Sequence, residues 1–148
     1  MKYFSINELI ASETAKKYKI DNTPTEEIKN NLIYLIENLL DPIREAYGKP
    51  IYVSSGYRCP TLNNHKDIKG SKTSDHMKGF AADIYAKNPA DNIKLLEIAK
   101  SMPVWDQIIN EKPYGNNNTP KWVHVSLRKA GNRKQVLLYK NGVYTRVM

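Results

Sequence analysis

Between residues 28 and 47, the apolar side chains Ile28, Leu32, Leu35, Ile36, Leu39, Leu40, Ile43 and Tyr47 recur at three- and four-residue spacing. That spacing puts them on one stripe of an α-helix. A helix with a single apolar stripe has to bury it against another element, so the stripe demands a second layer. Thr23-Pro24-Thr25-Glu26 reads as the capping box that starts the helix, with proline at the favoured first position. Pro42 should kink it, because proline removes a backbone donor and crowds the preceding turn. Gly48 and Pro50 end it. A second capping box, Ser5-Ile6-Asn7-Glu8, starts a shorter helix upstream.

The second layer follows in the chain. Ile51–Val53 and Phe80–Tyr85 read as strands on either side of a polar loop from Ser54 to about Asp75. Asn88-Pro89 caps a helix that runs to about Met102 and stops at Pro103. Trp105–Glu111 and Trp122–Leu127 read as strands joined by the turn-rich segment Pro113–Pro120. Asn141-Gly142, between Val136–Tyr139 and Val143–Val147, marks a type I′ hairpin. Helices first and strands after give an α+β fold, with helices packed on a mostly antiparallel sheet. The 148 residues suit one domain, divided into a helical scaffold (1–50), a site-bearing core (51–128) and a C-terminal hairpin (129–148).

Composition narrows the function. A hydrophobic content of 41% and a charged content of 26% exclude intrinsic disorder. No apolar run approaches the roughly 18 residues of a membrane span, and MKYFSINELI lacks the apolar region of a secretory signal. Synthesis in the cytoplasm without a signal peptide is the expectation. A single cysteine, Cys59, excludes an internal disulfide framework and a multi-cysteine zinc site. It has no histidine at a matching motif, which argues against a cysteine nucleophile. The net charge of +8 points to an acidic partner, whether nucleic acid, membrane surface or anionic cell-wall polymer, with mere solubility as the alternative. The basic residues are spread along the chain rather than interleaved with exposed aromatics, so no nucleic-acid partner is expected.

Only three histidines are present. His124 lies in Trp122-Val123-His124-Val125-Ser126, where strand alternation puts Trp122, His124 and Ser126 on one face and the valines on the other. His76 and Asp83 lie where a loop runs into a strand, far enough apart for the loop to fold back. Two imidazoles and one carboxylate form a zinc set with an open fourth position. Ligand counting alone leaves this a possible metal site.

The wider pattern is more specific. Ser74-x-His76-x-x-Gly79-x-Ala81-x-Asp83, followed by Trp122-x-His124-Val125, resembles the zinc D,D-peptidase family that cleaves peptidoglycan peptides. The family includes D-alanyl-D-alanine carboxypeptidases and phage L-alanyl-D-glutamate endolysins, and it shares the fold of the hedgehog signalling domain. Ser55-Gly56-Tyr57-Arg58 resembles the family's Ser-Gly-Tyr-Arg element, and Asp106-Gln107-Ile108-Ile109 its penultimate core strand. The resemblance spans about residues 30–128. It implies that His76, Asp83 and His124 ligate Zn²⁺, which acidifies water and polarises the scissile carbonyl.

A general base must still move the proton, and here the sequence departs from the family. Many members carry a glutamate three residues before the last histidine and others a histidine two before it; those positions are Lys121 and Trp122. Glu111 is the nearest candidate, on a strand face with Gln107 and Ile109, with a solvated strand-end carboxylate as the alternative. Arg58 offers a fork for a substrate carboxylate beside the metal, or a structural arginine folded on its loop. Ser74, Gln107 and Trp122 are candidate substrate contacts, with a loop-closing serine, a strand amide and a core aromatic as their alternatives. Gly79 and Ala81 matter through small size, while Asp75 and His65 read as exposed loop residues.

The expected activity is therefore zinc-dependent hydrolysis of peptidoglycan stem peptides, as a carboxypeptidase or an endolysin-type endopeptidase. The alternative is a catalytically weak metal-containing module that binds cell wall or a protein. A monomer acting at the bacterial wall after phage or prophage release fits the compact chain, and the charge of +8 fits an anionic wall; a cytoplasmic enzyme acting on small precursors or recycled muropeptides is the competing reading.

Overall fold

The computed structural model describes residues 1–147. Ser5 accepts the Glu8 backbone N–H and Glu8 reaches back to Ser5, so the predicted capping box opens helix α1, Ile6–Ile10. A short α2, Glu13–Lys17, follows, capped by Ser12. The long helix starts later than its capping signal suggests. Thr25, not Thr23, caps α3, Glu26–Leu35, by accepting the Ile28 N–H at 3.2 Å, while the Thr23 hydroxyl donates to Asp21. The irregularity at Pro42 takes the form of a π-helical turn, Ile36–Leu40, in which the Asp41 N–H reaches the Ile36 carbonyl. Widening the turn is one way to accommodate a residue with no N–H of its own. The helix then resumes as α4, Asp41–Tyr47.

The strands are β1 (Ile51–Ser55), β2 (Ala81–Ala86), β3 (Gln107–Glu111), β4 (Trp122–Ser126), β5 (Gln135–Lys140) and β6 (Val143–Arg146). They form one sheet in the order β1-β2-β4-β3-β5-β6. Every pairing is antiparallel except β3 with β5. The fold is α+β with a mostly antiparallel sheet, as the element order predicts. Within the polar loop, Pro60–Asn63 forms a short α5 and Asp75–Lys78 a 3₁₀ turn. The last helix, α6, spans Asn92–Ser101 after a 3₁₀ turn at Pro89–Asp91.

Strand alternation gives the sheet two distinct faces. Ala82, Ile84, Ile108, Val123 and Val125 point into the core, which is continuous with Leu95 and Ala99 of α6 and with the stripe of α3 and α4. Helix α6 lies against β2, β3 and β4, and α4 lies against α6. Burying the stripe therefore fixes the helices on one face. The other face carries Asp83, Gln107, Glu111, Trp122 and His124. Among the described residues, no helix is long and apolar enough to cross a membrane.

Candidate metal centre

His76 is held by local structure on both sides. The Ser74 hydroxyl accepts the His76 N–H at 3.1 Å and caps the 3₁₀ turn. The turn ends at Gly79, with φ +77, and a Cβ there would meet the Ile28 carbonyl at 3.0 Å. Glycine thus satisfies both the left-handed backbone and the close approach of α3. Ala81, at the start of β2, is fully buried.

The imidazole is oriented by Gly56. His76 Nδ1 lies 2.7 Å from the Gly56 carbonyl, and a carbonyl can only accept, so Nδ1 carries the proton and Nε2 the lone pair. Nε2 then faces Asp83 Oδ1 at 3.5 Å. Gly56 is itself pressed on α1: a Cβ at that position would lie 2.2 Å from the Leu9 carbonyl oxygen. The Tyr57 N–H donates to the same Leu9 carbonyl at 2.6 Å, and the Arg58 N–H donates to the His76 carbonyl at 3.1 Å. The Ser55-Gly56-Tyr57-Arg58 element is therefore a bracket that aims His76.

Strand pairing brings the other two groups in. Asp83 and His124 are direct partners across β2 and β4, and His124 Nδ1 sits 3.1 Å from Asp83 Oδ1. One ligand atom each from His76, Asp83 and His124 lie within 4.8 Å of one another, and all three residues are buried. Burial pushes the His76 pKa down, favouring the neutral imidazole. Burial also works against the Asp83 carboxylate, but the two histidines outweigh it and hold its pKa below the usual carboxylate range. A neutral imidazole and an ionised carboxylate are the protonation states that metal ligation needs. The donor set of two nitrogens and one oxygen fits a divalent ion such as zinc.

The group lines a cavity of about 580 Å³, and every residue singled out for the site in the sequence lines it too: Glu111, Arg58, Ser74, Gln107 and Trp122. Register explains Glu111. It pairs with Trp122, and Ile109 pairs with His124, so Glu111 is one pleat along from the histidine on the same face. The carboxylate is buried (9% exposed) rather than solvated. Burial and then the charge of Asp83 push its pKa up to about 7.

Arg58 is half-buried, with guanidinium N–H groups 3.4 Å from the Ser55 and Ser74 hydroxyls and no partner for Nε. Burial lowers its pKa, opposed by Asp83 and Glu111. It has no salt bridge among the described residues, which leaves donors for a ligand. Ser74 is already engaged as a cap, the loop-closing alternative, yet remains on the cavity wall. Gln107 donates to Gln135 at 2.8 Å. Trp122 is half-buried with Lys112 Nζ 5.3 Å from its ring.

Two expectations need correction. Asp75 is not an exposed loop carboxylate. It is 8% exposed and accepts Arg128 Nη2 at 3.0 and 3.3 Å. Arg128 also approaches the fully buried Asp106 at 3.4 Å, and Arg133 binds Asp106 through Nε at 3.1 Å and Nη2 at 2.8 Å. This ion network ties the His76 turn to the residue preceding β3. The sequence showed Arg128 and Arg133 only as scattered basic residues, and no local signal pairs them with aspartates so distant in the chain. His65 is half-buried against Tyr18, ring centroids 4.2 Å apart, and lies outside the cavity. Cys59 is a half-buried free thiol.

The model of the family described as Peptidase M15 matches residues 2–126, starting well before the motifs that first suggested a peptidase. A comparison with curated proteins returned no match.

Proposed function

The chain belongs to the peptidase M15 family, and on that premise we propose that it hydrolyses peptidoglycan stem peptides, as a D,D-carboxypeptidase or an endolysin-type endopeptidase. In this proposal His76, Asp83 and His124 hold Zn²⁺. A bound ion of this kind supplies Lewis acidity, lowering the pKa of water and polarising a carbonyl. Everything else falls to the chain.

Glu111 is the group that takes a proton from water and returns it to the leaving amine. In the metal-free chain burial and Asp83 raise the pKa of this carboxyl to about 7, and a carboxylate on the face of the metal cluster is a group that can accept a proton and return it. Arg58 binds a substrate carboxylate through the Nη hydrogens that Ser55 and Ser74 do not engage, since a planar fork matches that group. Ser74 and Gln107 offer polar contacts on the cavity lining, and Trp122 an apolar one. The Asp75–Arg128–Asp106 network keeps the His76 turn against the sheet.

The observation that carries the proposal is Glu111, buried and without an ion-pair or hydrogen-bond partner for its side chain among the described residues, on the same sheet face as Asp83 and His124. Burial disfavours the ionised form of such a carboxylate, a cost that a proton-transfer role would justify. The reading extends to action at the bacterial wall in phage- or prophage-driven lysis, where the charge of +8 would raise the local concentration on an anionic polymer. The test is digestion of purified peptidoglycan and synthetic stem peptides by zinc-loaded and chelator-treated protein, read by mass spectrometry. Chelator-sensitive release of peptide fragments is expected. Intact substrates in both arms would remove the peptidase assignment.

A further inference from the structure

The catalytic face of the sheet is ordered in rows that run across the strands. One row holds two of the three cluster residues: Asp83 pairs with His124, His124 with Ile109, and Ile109 with Leu137. The adjacent row is aromatic. Tyr52 pairs with Tyr85, and Tyr85 and Trp122 are the next residues beyond the Ile84–Val123 pair. Trp122 then pairs with Glu111, Glu111 with Tyr139, and Tyr139 with Tyr144. All six strands contribute one residue, and Glu111 is the sole non-aromatic member.

The rings are accessible. Tyr52 and Tyr144, at the two sheet edges, are 41% and 57% exposed, and Tyr85, Trp122 and Tyr139 are half-buried. They associate in pairs, with centroids 5.6 Å apart for Tyr52–Tyr85 and 4.3 Å for Tyr139–Tyr144. Tyr144 lines the same cavity as Glu111. Tyr139 and Tyr144 lie beyond residue 126, where the family match ends.

Resting on the peptidase reading above, we propose that this aromatic row is the platform on which an extended peptide substrate lies, with subsites on both sides of Glu111. Large, stiff rings with a polar tip give contact area at small entropic cost. What lies on the row must be continuous with the bond being cut, because Glu111 interrupts it. Strands about 4.8 Å apart put Tyr52, three strands away, roughly 14 Å from the Glu111 position and Tyr144, two strands away, roughly 10 Å. At about 3.3 Å per extended residue, the two arms accommodate about four and three residues. An arm on each side of the reacting group means that the bond cut is internal.

The test uses two peptide series that lengthen on one side of the scissile bond only, with wild type, Y52A and Y144A, all zinc-loaded. KM should fall as either side lengthens in wild type. Y52A should cancel the gain for one series and Y144A for the other, each raising KM about three- to tenfold. Titration of the longest peptides into zinc-free protein, followed by tryptophan fluorescence, reads the platform without catalysis and should show the same losses. Cleavage and binding unchanged in both variants would overturn the platform and leave the peptidase reading standing. Binding that weakens as expected without cleavage of any peptide would overturn the peptidase reading instead. Circular dichroism confirms that each variant is folded, which edge positions this exposed permit.

Discussion

Replacing Glu111 with glutamine isolates the electrostatic state of the site from its chemistry. The metal-free fold raises the Glu111 pKa from 4.5 to about 7, first through burial and then through Asp83. A folded-state pKa above the unfolded one means that the ionised form is disfavoured by folding. The penalty is absent below pH 4.5, where both states are protonated, and grows as pH rises toward 7, above which it is complete. At about 1.4 kcal/mol per pH unit the full penalty is roughly 3 kcal/mol, reduced to about 2 kcal/mol because part of the carboxylate still meets water. Glutamine keeps the shape and carries no charge. Chelated E111Q should therefore exceed wild type by about 2 kcal/mol at pH 8 and by much less at pH 5. Urea denaturation followed by tryptophan fluorescence at both pH values measures this. A difference of the same size at the two pH values would refute the account, since it would place the effect in packing rather than ionisation. In the zinc-loaded protein the same variant should lose about a hundredfold or more in kcat while keeping its metal, as expected when a proton-transfer group is removed.

Further outcomes follow from the same geometry. His124→Ala should lose its metal by atomic absorption while circular dichroism shows the fold retained; unchanged metal content would remove the ligand assignment. Arg58→Ala should raise KM about tenfold or more for substrates bearing a free carboxylate, and change it little for the amidated forms. Gly56→Ala forces a Cβ to within 2.2 Å of the Leu9 carbonyl oxygen, so a loss of roughly 1–3 kcal/mol in urea denaturation is expected. Because Gly56 also orients His76, metal titration of that variant should show weaker binding.

Much of this protein is written in short stretches of sequence. The stripe from Ile28 to Tyr47 determined the helical layer, because helix periodicity is local and any sheet can cover it. The alternation in Trp122–Ser126 put His124 on the face opposite the core valines, because the pleat repeats every two residues. The spacing of His76, Gly79, Ala81 and Asp83 marked a turn entering a strand, and Asn141-Gly142, both at positive φ, marked the last hairpin. The start of the long helix was less legible, since Thr23 and Thr25 are both plausible caps and only Asp21 decides which hydroxyl is free.

The rest required the whole chain. Asp75 is buried because Arg128, 53 residues later, reaches it. Gly56 has no room for a side chain because α1 lies against it, which its neighbours in sequence do not reveal. Whether Glu111 was a solvated strand end or a site carboxylate depended on the register of β3 against β4, and a shift of one residue would have turned it to the opposite face. The insertion of β5 parallel to β3 completed an aromatic row to which six separate strands contribute. Periodicity and caps act over a few residues and can be read locally. Register, burial and charge pairing are properties of distant segments brought together, and they set the environment in which Glu111 can exchange a proton.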